Sequence, residues 1–214
     1  MIGSANETAD DFQVIVRIDS DDPKLEGYKN LVDNNVDLMV SPRGVLSGLW
    51  NECALMATGE ILMQCADDIR FRSPGWDTLV HAAFDEYDDK IAYVYGRDGI
   101  ADERMATHGF MHRTWYETLG YFTWPHFTSD YGDLWNHTIA ERLDRLHFLP
   151  DVYTEHLHPA AGKGVMDQTH IDRMERDLDD DNAGRWETAQ PDLEAAVSVL
   201  AERLRPQPPT ETSP

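Results

Sequence analysis

An α/β fold, with a mostly parallel sheet and helices on both faces, is what the sequence predicts, and three observations carry the prediction. Short β-branched runs recur along the chain, amphipathic stretches of helical length separate them, and acidic or glycine-containing turns follow them. Strands joined by helices of this length make right-handed crossovers between parallel neighbours.

The first run, FQVIVRI from Phe12 to Ile18, reads as a strand that ends in the acidic turn DSDDP, and the residues ahead of it, MIGSANETADD, read as the end of a helix. Pro23 opens a helical stretch to about Val32, VDLMV (Val36 to Val40) is a second strand, and SPRG is a loop. A helix follows from about Leu46 to Ala57, closed by Thr58-Gly59. Ile61 to Cys65 form the third strand, and Gly75 to about Tyr87 form a helix that carries Trp76, Leu79, Val80, Ala83 and Phe84 inward. IAYVYG (Ile91 to Gly96) reads as another strand, after which the chain turns irregular and aromatic. A helix is expected from about Asp130 to Leu146, and HFLPDVYTEHLHP (His147 to Pro159) reads as extended. AAGKG is a hinge before an acidic helical stretch around Asp167 to Asp181, whose DLDDD is a solvated surface. A final helix runs from about Pro191 to Arg205. The expected organisation is one domain over residues 1–183, a C-terminal helix over 184–205, and a disordered tail over 206–214 whose PQPPTETSP is rich in proline and polar residues.

Composition narrows the function. Hydrophobic residues make up 41% of the 214, with six Trp, eight Tyr and seven Phe, enough apolar surface to offset the ordering entropy of a folded domain. Forty Asp and Glu against 18 Lys and Arg give a net charge of -22, which repels phosphate backbones and anionic membranes and disfavours direct binding to a nucleic-acid duplex. The acidity fits salt adaptation or an Arg-biased host composition. Cys53 and Cys65 lack metal or redox spacing and read as small buried hydrophobes. No apolar run reaches the roughly 18 to 20 residues of a membrane span, and the first residues lack the pattern of a signal peptide, so a cytoplasmic location is expected, the host cytoplasm if the chain is viral.

In open α/β sheets ligands bind beyond the carboxyl ends of the strands. That rule picks out two acidic turns: Asp19, Asp21 and Asp22 after the first run, and the adjacent Asp67 and Asp68 after the third. Two neighbouring carboxylates repel unless a cation or polar ligand lies between them. An acidic turn on a solvated edge is the plainer explanation.

Several ordered motifs then resemble one family. VIVRIDSDDP (Val14 to Pro23), GVLSGLWNECALMATGEILMQCADDI (Gly44 to Ile69), SPGWD (Ser73 to Asp77), THGFMHR (Thr107 to Arg113), TSDYGDLW (Thr128 to Trp135) and EHLHP (Glu155 to Pro159) stand in the order found in GT-A-fold, family-2-like nucleotide-sugar glycosyltransferases of bacterial and viral genomes. The resemblance covers roughly Phe12 to Asp167, and Asp67-Asp68 occupies the position of that family's DXD motif. Relatives begin with a further strand and a Pro-Thr-type loop beside the nucleotide, and nothing before Phe12 matches them. The uncovered sheet edge is expected to be closed by an upstream segment, a partner subunit or the chain's own terminus.

The resemblance implies Mn²⁺ or Mg²⁺ and a nucleoside diphosphate-sugar donor, a UDP-sugar favoured, with a hydroxyl acceptor on a glycan or protein. It assigns Asp68 to the metal, with at least one of His156 and His158, His156 first, completing its shell. Asp19 and Asp67 go to the nucleotide, where Arg43, Arg70 and Lys163 are candidates to meet the phosphates. Asp130, or else Asp133, is the base that deprotonates the acceptor. Each has a structural alternative: the Asp19 turn as an N-terminal cap for the helix after Pro23, provided by Asp21 or Asp22, Asp130 as a cap with Asp133 in a first helical turn, and the histidines as ordinary buried or surface residues. Trp115, Tyr121, Trp124, His126, Phe127 and Tyr131 would line an acceptor groove, or else pack in the core. A noncatalytic binding or assembly protein, and a nucleotidyltransferase, are the competing functions.

Overall fold

The computed structural model describes residues 1–32, 35–166, 171 and 181–204. The expected acidic helix lies outside them except for Ile171 and Asp181, as do Arg205 and the expected tail.

The β-branched run of the N-terminal part forms β1 (Val14–Asp19), which pairs in parallel with β2 (Val36–Ser41) from Val14 opposite Val36 to Asp19 opposite Ser41. Ahead of β1 lies α1 (Ile2–Thr8), and between the two strands a short α2 (Leu25–Tyr28) runs into a 3₁₀ turn over Lys29–Leu31. After β2 comes α3 (Leu46–Met56), one residue shorter than expected.

The larger sheet has five strands in the order β3-β6-β5-β7-β4: β3 (Ile61–Met63), β4 (Ile69–Phe71), β5 (Tyr93–Arg97), β6 (Phe110–His112) and β7 (Leu146–His156). It is mixed, which corrects the expectation of a mostly parallel sheet. Only β5 and β7 run parallel, while β3–β6, β5–β6 and β4–β7 are antiparallel. The two strands responsible, β4 and β6, are three residues long. Ile69, Arg70 and Phe71 do alternate buried, exposed, buried, but so short a run has no period to separate it from a loop.

The remaining helices are α4 (Trp76–Asp85), α5 (Arg113–Leu119), α6 (Gly132–Arg142), α7 (Asn182–Thr188) and α8 (Gln190–Ala201). In α4, Trp76, Val80, Ala83 and Phe84 are buried as expected, whereas Leu79 is 39% exposed. The C-terminal α8 packs on α5 and α6 and buries Leu193, Ala196 and Leu200, so it completes the core rather than standing apart from it.

Strand alternation divides the interior into two cores. Leu62, Tyr93, Tyr95 and Met111 point to one, which α5, α6 and α8 cover with Trp115, Trp135 and Ile139. Ile61, Met63, Val94 and Phe110 point to the other, which α1 and α4 cover with Ala5, Trp76 and Phe84. Among the described residues β1 pairs only with β2, and β3 only with β6. A cavity of about 730 Å³ that touches both strands lies between the two sheets. No helix among the described residues is long and apolar enough to cross a membrane.

Candidate functional site

Three chain segments meet where Asp68, Asp98 and His156 come together. The backbone N–H of Leu157 donates to the carbonyl of Asp68 at 2.8 Å, and that of His156 donates to the carbonyl of Asp98 at 2.9 Å. These bonds tie the end of β7 to the β3–β4 loop and to the turn after β5. The side chains follow the backbone. His156 Nε2 stands 3.2 Å from Asp68 Oδ2, and His156 Nδ1 stands 4.0 Å from Asp98 Oδ2, so each ring nitrogen faces a carboxylate.

Asp98 is held rigidly. Its Oδ1 accepts from the N–H groups of Ile100, Ala101 and Asp102 at 2.7–2.9 Å, and its Oδ2 accepts from the Thr107 hydroxyl at 2.9 Å. Burial alone would raise its pKa, but these hydrogen bonds outweigh it and hold the carboxyl below its ordinary value. Asp68 behaves likewise: burial raises its pKa, and the hydrogen bond with His156 together with the charges of His156, His108 and His158 brings it down.

His108 adds a third imidazole. Its ring lies edge-on to His156 with centroids 4.7 Å apart, it is 7% exposed, and its Nε2 is buried without a hydrogen-bond partner. Burial, assisted by His156, pushes its pKa down to about 4, so the ring is neutral at neutral pH. His158 packs against His156 at 5.2 Å. Lys163 comes to the same rim, donating to the Gly99 carbonyl at 3.3 Å and lying 3.7 Å from Glu155.

The other sequence candidates fall elsewhere. Asp19 pairs with the buried Arg17, which also reaches Glu52 at 3.2 Å, and Arg43 lies 3.8 Å from Asp19 and 3.3 Å from Asp21. Asp19 and Arg43 thus belong to an ion network of their own. It meets the neighbourhood of Asp67 through the cavity, which both Arg17 and the exposed Asp67 line. Asp22 accepts from the Lys24 N–H at 2.7 Å, just ahead of α2. Arg70 points outward from β4 opposite Glu155.

Asp130 is exposed and precedes Tyr131, which caps α6 with a φ of 70°. Asp133 sits in the first turn of α6 and accepts from the Leu134 N–H at 2.8 Å. It approaches the buried Tyr93, whose phenol pKa is raised by burial and then by this carboxylate. Of the aromatic residues considered for an acceptor groove, Trp115, Trp124 and Phe127 are core residues, and Tyr121, His126 and Tyr131 retain exposure.

Sequence reasoning missed Asp98 and His108. The rule that ligands gather at strand ends, applied to β5 as it was to the other strands, leads directly to Asp98. His108 stands inside the THGFMHR motif, but a single His ahead of a three-residue strand has no distinctive spacing that would assign it a role.

Among the described residues no group of three or more His, Cys, Asp or Glu donors is arranged to hold a metal ion. Asp68 and His156 nevertheless suit two neighbouring positions on one cation, since ligands at about 2.1 Å and right angles stand about 3 Å apart. Mg²⁺ commonly takes only one or two protein ligands and completes its shell with substrate phosphates and water. No protein-family model matches the chain, and no curated protein matches it either.

Proposed function

We propose that the protein is an inverting, metal-dependent glycosyltransferase that moves a sugar from a nucleoside diphosphate donor, a UDP-sugar favoured, to an acceptor hydroxyl. The observation that carries this reading is the Asp68–His156 pair, drawn together from the β3–β4 loop and the end of β7 at a 3.2 Å separation. In the order of motifs that resembles family-2-like enzymes, these positions are the DXD motif and the late histidine.

Asp68 and His156 would hold Mn²⁺ or Mg²⁺, with His158 beside them. A divalent cation bound there supplies electrostatic stabilisation of the charge that grows on the diphosphate leaving group. Asp98, fixed by four hydrogen bonds, faces the far nitrogen of His156 and orients its ring, as carboxylates behind ligating histidines do. Lys163 would meet the diphosphate from the rim, and Asp67 and Asp19 the nucleotide. Asp130, or Asp133 in its place, would take the acceptor proton. The acceptor oxygen then bonds to the anomeric carbon from the face opposite the leaving group, and the diphosphate departs with the electron pair of the broken bond.

Calorimetry with UDP or GDP in the presence of Mn²⁺ tests the donor site, and Asp68→Asn is expected to weaken the metal-dependent binding tenfold or more. Asp130→Asn is expected to keep that binding and to lose transfer. Failure of both nucleotides to bind the folded protein would remove the reading. A noncatalytic assembly protein would then be favoured, an alternative that the cavity between β1 and β3 supports.

A further inference from the structure

We propose that the sheet face opposite His156 carries a binding site for the phosphate dianion of a small, soluble phosphate ester. Glu155 and His156 are successive residues of β7, so their side chains leave the sheet on opposite faces. On the Glu155 face three strands lie side by side. Arg97 of β5 is paired with Tyr153 of β7, and from the other side the Arg72 N–H donates to the Tyr153 carbonyl at 2.9 Å. One step along, Arg70 of β4 is paired with Glu155, and Lys163 Nζ stands 3.7 Å from the Glu155 carboxylate. Four cations thus surround Tyr153 and Glu155. In a chain of 40 acidic and 18 basic residues, composition alone does not put them together.

Most of their donors are not engaged. Glu155 accepts from Arg72 Nε and Nη2 at 2.9 and 2.6 Å, and Lys163 donates to the Gly99 carbonyl at 3.3 Å. Arg70 and Arg97 donate to no described residue, since Asp102 Oδ1 stands 4.0 Å from Arg97 Nε, beyond hydrogen-bond reach. Arg97 is held all the same. Its guanidinium lies 5.1 Å from the centroid of the Tyr153 ring, a contact that restrains the fork without using its N–H groups. The Tyr153 hydroxyl comes to the same place as Lys163: a Cβ on Gly99 would stand 2.7 Å from both Lys163 Nζ and Tyr153 Oη, so the bare Gly99 is what lets the two approach one another.

Two guanidinium forks, an ammonium and a phenol hydroxyl suit the oxygens of a phosphate, which accepts paired, charge-assisted N–H bonds from Arg. Four cations against the carboxylates of Glu155 and Asp102 leave two positive charges, matching the dianion, while Asp151 lies one step farther along the same face of β7. The net charge of -22 repels an anionic membrane, so the phosphate belongs to a soluble molecule rather than to a lipid headgroup. Lys163 borders both this face and the Asp68–His156 rim. The site otherwise uses none of the residues of that rim and does not depend on the glycosyltransferase reading.

Calorimetric titration of the full chain with inorganic phosphate tests this, in metal-free buffer of low ionic strength at about pH 8, where phosphate is a dianion. Chloride at matched ionic strength is the control. Phosphate is expected to bind with a stoichiometry of one and chloride to give no binding heat. Arg70→Gln and Arg97→Gln should each weaken binding about tenfold or more, as loss of a charge-assisted pair implies. Arg70 is exposed and donates to no described residue, so its replacement leaves the fold intact. Glu155→Gln removes the competing carboxylate and frees Arg72, and should tighten binding about threefold or more. Asp68→Asn should leave it unchanged. Absence of binding beyond that of chloride overturns the proposal, as does tight binding that survives both arginine substitutions. Binding that needs Mn²⁺ or vanishes in Asp68→Asn would put the anion on the Asp68–His156 rim and also overturns it. So does capture by phosphatidic acid vesicles without binding of inorganic phosphate, which would make the ligand a lipid headgroup. None of these results bears on Mn²⁺-dependent binding of UDP, so the two readings fail separately.

Discussion

His156 Nε2 stands 3.2 Å from the Asp68 carboxylate, and the next residue, Leu157, donates its backbone N–H to the Asp68 carbonyl at 2.8 Å. The backbone bond fixes the distance from which the side chains meet. The pairing therefore exists before any ligand arrives, and it has a consequence for acid stability.

Asp68 has a folded pKa below its unfolded value of about 3.9. The stability that this contributes is present above that unfolded value and is lost as the pH falls through the folded one. Asp68→Asn is expected to flatten the acid limb of the stability curve at and below about pH 4. Urea unfolding of both proteins across that range measures it, and parallel acid limbs would show that the pair contributes no acid sensitivity.

His108 acts in a neighbouring pH window. Its folded pKa of about 4 lies below the ordinary 6.5, so the unfolded chain takes up a proton in this interval and the native state does not. Stability from this group is complete above about pH 6.5 and falls by up to roughly 3 kcal/mol as the pH approaches 4. His108→Gln is expected to remove most of that slope in the metal-free protein. An unchanged slope would assign the pH dependence to other groups.

A buried ion pair tests the sheet's outer end. Arg145 and Asp89 are 3.3 Å apart with side chains 9% and 4% exposed, and the guanidinium lies 5.4 Å from the centroid of the Tyr87 ring. Arg145→Met leaves the Asp89 carboxylate buried without its counter-ion, and a loss of about 3–5 kcal/mol is expected. Chemical denaturation measures it, and a loss below about 1 kcal/mol would mean that Asp89 finds water when Arg145 is gone.

Gly96 sits at the irregularity between β5 and β7, where a Cβ would run into the carbonyl of Val152 and, at 2.8 Å, its Cγ1. The obstacle is backbone in a central pair of strands and cannot step aside. Gly96→Ala is expected to cost about 1–3 kcal/mol, read as a lower unfolding midpoint. An unaltered midpoint would mean that the β5–β7 pairing shifts without penalty.

Much of the fold is legible in the sequence where a period exists to be read. VIVRI and VDLMV give β1 and β2, and Leu46 to Met56 gives α3 almost to the residue. What is missed is short or non-local. β4 and β6 have three residues each, too few to show a period, and β4 pairs about 85 residues away while β6 pairs with β3 about 50 and with β5 about 17 residues back in the chain. The candidate site divides in the same way. Asp68, His156, His158 and Lys163 are each visible as chemistry-bearing residues, and the structure brings them to one rim. The ion network of Asp19, Arg43 and Arg17 is invisible at sequence level, because Glu52 joins it from a helix more than 30 residues beyond β1.

The separation of β1 and β2 from the five-stranded sheet also bears on how the molecule breathes. Pieces of a protein with few ties to the rest open on their own, at less cost than global unfolding. Beyond their own ladder, the two strands are anchored mainly by α3 and by contacts such as Gln13 accepting from the Thr58 N–H at 3.0 Å. Amides of Val14 to Asp19 should therefore exchange with deuterium well before those of β5, whose Tyr93 and Val94 are fully buried. The half of the molecule that carries Asp19 would then behave as a separately cooperative unit, hinged against a slower-exchanging block that carries Asp68, Asp98 and His156.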